Sequence, residues 1–166
     1  MEIREALTKE EIRRVEELYE EAFPENEKKP FSFMLKGRRK GQFEILYIED
    51  GERYFCGMAI MMLYGDMALL DYFAIDPGWR NSGLGSRALK RLQERFAGKK
   101  FFLEIESTQG LNGAEGLPQG IDKKEAELRL RRKAFYRRCG MEAMDFRVLL
   151  FGVEMEILVY GDRVGF

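Results

Sequence analysis

Two residues, Gly65-Asp66, separate two long apolar runs at 53–64 and 67–75. A connection that short can only return the chain antiparallel to itself, because a parallel partner needs a crossover of a dozen residues or more. A third run, residues 43–49, lies before them, and Glu49-Asp50-Gly51-Glu52 supplies the turn between. The middle of the chain is therefore expected to be a three-stranded antiparallel meander. Asp76-Pro77-Gly78 ends it, since proline cannot donate to a central ladder.

The flanks read differently. Residues 2–6 alternate as a short first strand. Thr8 with Glu11 is a capping box, and Ile12, Val15, Leu18, Tyr19 and Ala22 then line one helical face up to Pro24. A short helix is expected from Pro30 to Gly37, with Phe31, Phe33, Met34 and Leu35 facing the core or a substrate. After the meander a helix is expected from Gly83 to Phe96, then a strand at 100–106. Asp122 with Glu125 is a second capping box, opening a helix that ends at Arg138 with Gly140 as its cap. Strands at 142–150 and 153–160 close the chain around Phe151-Gly152. This order describes an α/β fold: a mixed, mostly antiparallel sheet of six or seven strands with helices on both faces. The 166 residues fit one domain, 1–166.

Charge excludes some functions. The formal net charge of -1 gives no global reason to bind nucleic acid. Ten acids against six bases crowd residues 1–30, whereas 80–100 holds seven bases and only Glu94 as an acid. Residues 122–138 hold eight bases and three acids. A polyanionic ligand would account for the basic segments, and so would two solvated helix faces. Two cysteines, no signal peptide and no long apolar run point to the cytoplasm and away from membranes. The chain has no histidine, so histidine triads and histidine-ligated zinc are excluded, and no carboxylate spacing asks for a metal.

The sharpest local signal is Arg80-Asn81-Ser82-Gly83-Leu84-Gly85, followed by Ser86, between a strand and a helix. First-turn amides have no helical acceptor and the helix dipole favours an anion there. Glycine at 83 and 85 lets a phosphate approach the backbone, and Arg80 can add a charged hydrogen bond. A dinucleotide fingerprint would need glycine where Ala88 stands, and a Walker loop would need Gly-Lys-Ser/Thr.

Phe73 through Leu89, with its Arg80-x-x-Gly83-x-Gly85 core, resembles the central motif of the GNAT acetyltransferases. Their later motif is matched by Ala134-Phe135-Tyr136-Arg137-Arg138-Cys139-Gly140-Met141, with methionine where phenylalanine is usual. The likeness covers residues 2 to about 160 in element order and is to small bacterial members of unassigned substrate. It implies the acyl-CoA N-acyltransferase fold, acetyl-CoA as co-substrate, and direct acetyl transfer to a primary amine of a small molecule or protein. It implies that the pyrophosphate sits on the Arg80–Gly85 amides. The pantetheine arm would run along Phe73, Ala74 and Ile75, wedged where the strands 67–75 and 100–106 splay. A monomer or a homodimer is compatible with it. A non-catalytic acyl-CoA-binding module is the alternative, and a nucleotide-binding regulator a third.

The chemistry needs a base for the amine and a proton for the departing thiolate. Glu104 and Glu106 share one face of the strand 100–106, and side by side they are expected to raise one another's pKa. Glu104 matches the family's glutamate by position, and Glu106 falls where some relatives have arginine. Asp71 is a third candidate. Tyr136 lies on the helix that in the family packs near the thioester sulfur, so its phenol is the expected proton donor. The stretch from Ser107 to Gly120, with four glycines and a proline, is expected to be an irregular loop, either an acceptor-side lid or a surface insertion.

Overall fold

The computed structural model describes residues 1–112 and 116–161. Its seven strands make a mixed, mostly antiparallel sheet with helices, the larger of the two strand counts expected. The chain divides into two compact units, Met1–Phe101 and Phe102–Phe166.

In the first unit, β1 (Glu2–Glu5), β2 (Phe43–Glu49), β3 (Phe55–Tyr64) and β4 (Met67–Ile75) pair consecutively and antiparallel. The turns enforce this. Gly65 adopts φ 56° between β3 and β4, and Arg53 takes φ 69° before β3. That second turn delays β3 to Phe55, two residues later than the apolar pattern suggests.

Both faces of this meander are apolar. Phe43, Ile45, Met58, Ile60 and Tyr72 form one core with Val15, Leu18 and Tyr19 of α1 (Lys9–Ala22) and Phe31 and Met34 of α2 (Phe31–Arg39). Leu46, Ile48, Ala59 and Met61 point the other way and are equally buried. Helix α3 (Leu84–Arg95) lies on that second side, where Arg95 binds Glu44 at 2.8 Å. Phe31 and Met34 thus serve the core, and Phe33 stays exposed.

Gly37 does not end α2. The helix runs to Arg39, and Gly41 at φ 74° follows it. Gly37 is needed for packing instead: a Cβ there would collide with the Phe43 ring.

The capping box at Thr8 forms as expected, with the Glu11 amide donating to Thr8 Oγ1 and the Thr8 amide to Glu11. The Arg4 guanidinium at 2.7 Å, then the Leu7 and Thr8 amides, hold the Glu11 carboxyl down at about 2. A carboxyl depressed by folding adds stability above its unfolded value, here 4.5, and loses it as pH falls toward 2. Glu11→Gln is expected to flatten the fall of the urea midpoint across that window. A slope equal to the parent's would contradict the assignment.

In the second unit, β5 (Lys100–Glu106, its first two residues belonging to the first unit), β7 (Val153–Tyr160) and β6 (Met141–Leu150) lie in that order. Phe151 at φ 52° and Gly152 at φ 78° turn β6 back into β7. Helix α4 (Lys123–Arg138) begins at Asp122, which accepts from the Glu125 amide at 2.8 Å. The reciprocal half expected of a capping box is replaced, because the Glu125 carboxylate turns along the helix to Arg129 at 2.9 Å. Gly140, at φ 89°, follows the helix as its cap, and Cys139 and Cys56 are not joined in a disulfide. Among the described residues, no helix is long and apolar enough to cross a membrane.

Candidate functional site

Phe73, Ala74 and Ile75 are the last residues of β4, facing Ala59, Met58 and Gly57 of β3. Gly57 lets the strands approach there: a Cβ would lie 2.8 Å from the Ala74 carbonyl. The chain then passes through a short 3-10 turn, Pro77–Trp79, which Asp76 caps by accepting from the Gly78 amide at 3.0 Å. Asn81 at φ 64° and Gly83 at φ 78° bend it into α3. Ser82 Oγ donates to the Trp79 carbonyl at 2.5 Å, and Ser86 Oγ to the Gly83 carbonyl at 3.1 Å.

The first helical amide to find its acceptor is that of Arg87, on Gly83 at 3.3 Å. Leu84, Gly85 and Ser86 therefore present first-turn N–H groups at the dipole's positive end. Open space surrounds the Gly83 Cα, with no atom within 4 Å of a Cβ built there. Arg80 is exposed, and its Nε donates to the Ile75 carbonyl at 3.1 Å. That bond fixes the guanidinium across the turn and leaves its terminal nitrogens for an anion.

Of the basic residues at 80–100, several have structural partners. Lys99 donates to the Gly65 carbonyl, Lys100 pairs with Asp66, and Arg95 with Glu44. Arg87, Lys90 and Arg91 remain exposed on α3.

The other candidates lie in the second unit. Glu104 and Glu106 are half-buried on one face of β5, as the alternation requires. The two do not simply repel each other. Arg129 of α4 binds Glu106 at 2.6 Å, with Arg132 at 3.8 Å. The expectation that Glu106 is a base made ready by a neighbouring acid thus meets two guanidinium groups. Tyr136 is half-buried on α4, with its ring edge-on to Phe135. Burial pushes its phenol up to about 12, against the opposing charge of Arg132. Among the described residues its hydroxyl has no hydrogen-bond partner.

Three groups escaped the sequence reading. Glu156 of β7 is buried and accepts from the Thr108 hydroxyl at 3.0 Å and from Lys133 at 3.2 Å. An acid within the apolar run 153–160 was the same signal that marked Glu104 and Glu106. Arg129 and Lys133, one helical turn apart on α4, reach inward to these acids, so the basic face of that helix is only partly solvated. Lys29 binds Asp71 at 2.6 Å, across a sequence distance that no local pattern spans.

The expected loop is held at its start. The Ser107 amide donates to the Glu154 carbonyl at 2.9 Å, and Ser107 and Leu111 are buried. Gly110, Gly116 and Gly120 all take positive φ, which excludes a helix through them. Residues 113–115 of the proposed lid lie outside the described residues.

Residues 12–115 match the family model described as Acetyltransferase (GNAT) family. A GNAT-family protein from Bacteroides thetaiotaomicron is 22% identical, with a TM-score of 0.75 over 98% of this chain and 88% of that one. Spermidine N-acetyltransferase from Vibrio cholerae, solved with CoA and spermine, is 14% identical, with a TM-score of 0.66 over 95% and 94%. Another GNAT-family protein, from Desulfovibrio desulfuricans, is 18% identical, with a TM-score of 0.63 over 95% and 96%. No curated protein matches the chain. At such identities the solved structures show a common fold, while the family model takes in most of the chain, β4 and the Arg80–Gly85 turn included. On that ground the chain belongs to the GNAT acetyltransferase family.

Proposed function

We propose that the chain works as a single domain, an N-acetyltransferase that moves an acetyl group directly from acetyl-CoA to a primary amine. The observation that carries this is the turn into α3. The first-turn amides of Leu84, Gly85 and Ser86 follow Gly83, whose Cβ position is open, and Arg80 bonds the Ile75 carbonyl through Nε alone, a set of groups suited to a pyrophosphate. In this reading the backbone of Phe73, Ala74 and Ile75 holds the pantetheine arm.

The amine nitrogen attacks the thioester carbonyl carbon, the carbon–sulfur bond breaks, and the thiolate leaves. Tyr136 gives the thiolate its proton. A phenol raised by burial is fully protonated at neutral pH, and this one has a hydroxyl available to a ligand. Glu104 takes the amine proton, directly or through a water. Glu106, neutralised by Arg129, suits a positioning role better than a base.

The acidic residues 1–30 favour a cationic acceptor. The Vibrio cholerae relative with bound spermine makes polyamines the first class to try.

A second reading, a non-catalytic acyl-CoA-binding module, draws on the same Glu106–Arg129 pair, which ties down one of two candidate bases. Calorimetry with acetyl-CoA, followed by thiol release over an amine panel, separates them. Binding with release on a polyamine or another amine is expected. Binding without release on any amine favours the second reading, and no binding removes both.

A further inference from the structure

One carboxylate of the first unit sits where the strand register breaks. Ile60 of β3 faces Tyr72 and Met61 faces Leu70, so Asp71 of β4 is the extra residue of a β-bulge. Bulges re-aim a side chain and cluster beside functional sites. The Asp71 side chain is 11% exposed. Burial raises its pKa in spite of the opposing Lys29 charge, so the ionised form needs a cation close by.

That cation is Lys29, on the connection between α1 and α2. Its Nζ lies 2.6 Å from Asp71 Oδ2 and 5.4 Å from the centre of the Tyr72 ring. Tyr72 in turn packs edge-on against Tyr19 at 4.8 Å and Phe23 at 5.0 Å. A carboxylate beside an aromatic face is the pairing that recognises alkylammonium ions. Here it holds the end of a butyl chain bearing one ammonium group, supplied by the protein itself.

The arrangement is set up for exchange. Lys29 is the more exposed partner, at 32% against 11% for Asp71. Its backbone is fixed without its ammonium: the Lys29 amide donates to the Tyr72 hydroxyl at 3.0 Å, and its carbonyl accepts from the Tyr19 hydroxyl at 2.6 Å. The side chain can therefore leave while the connection stays in place. Neighbouring Lys28 is held by Glu20 and Glu25 and is not a substitute.

We propose that Asp71 and the Tyr72 ring form a recognition site for a primary alkylammonium, occupied in the free protein by Lys29 as an internal competitor. The acceptor displaces Lys29 when it binds. Only the identification of this ammonium with the acceptor's rests on the acetyltransfer reading.

The test uses the whole chain without coenzyme, titrated with n-butylammonium chloride and, as its neutral twin, n-butanol. Calorimetry gives the affinity, and nitrogen-detected NMR follows the Lys29 ammonium. Butylammonium is expected to bind the parent weakly and to shift the Lys29 signal, and butanol to do neither. Lys29→Met removes the competitor and should tighten butylammonium binding at least about tenfold, since affinity scales with the fraction of open sites. Asp71→Asn should abolish it. Equal or weaker affinity in Lys29→Met, retained affinity in Asp71→Asn, or equal binding of butanol would overturn the proposal. Should Lys29→Met not fold, the parent decides, and a Lys29 signal unmoved by butylammonium counts against the site. Failure of thiol release with every amine would sink the acetyltransfer reading and leave this equilibrium result standing.

Discussion

Gly83→Val is expected to weaken acetyl-CoA binding by at least about tenfold, or about 1.4 kcal/mol. Gly83 sits at φ 78° with nothing within 4 Å of a built Cβ, so the substitution clashes with no neighbour. Its cost is in the backbone. A β-branched residue resists the left-handed region by about 1–2 kcal/mol. Relief comes by rotating the peptide that aims the Leu84 and Gly85 amides. Asparagine tolerates that region, so Gly83→Asn should fall between parent and valine. Calorimetry on variants with parent-like circular dichroism makes the check. An affinity equal to the parent's in a folded Gly83→Val would remove the turn as the coenzyme site.

Tyr136→Phe should lower turnover by about 10²–10⁴-fold, the usual loss for a positioned acid, with coenzyme affinity nearly unchanged. The substitution keeps the ring that packs on Phe135 and removes only the hydroxyl, which has no partner among the described residues. Folding should therefore be little affected, and a rate loss can be read as chemistry. The measurement is the steady-state rate with a confirmed acceptor, beside the thermal midpoint. A parent-like rate would return Tyr136 to a packing role.

The features legible in the sequence are those whose causes are local. Gly65-Asp66 dictates an antiparallel return, Thr8 and Glu11 meet within one helical turn, and Gly140 caps the helix it follows. The misreadings arise where two local rules compete. Gly37 looks like a helix stop, but packing against Phe43 requires a glycine inside the helix. Glu125 has the capping-box spacing, but Arg129 four residues on offers it a charged partner. The partners of the inward-facing acids were not legible at all. Lys29 with Asp71, Arg129 with Glu106, and Lys133 with Glu156 are pairings set by tertiary packing, for which no period or spacing exists.

The tight returns between β2, β3 and β4 also bear on how the chain acquires its structure. Pairing across a turn of a few residues closes almost no loop, so the meander forms from contacts near in sequence. Strand β7 is different: it lies beside β5, yet the whole of α4 and β6 comes between them in the chain. That closure must be made before its contacts repay it, which places the docking of β7 among the late and slow events. During synthesis the Arg80–Gly85 turn emerges long before β7, so the segment suited to a pyrophosphate is complete while the strand carrying Glu156 is still to be made.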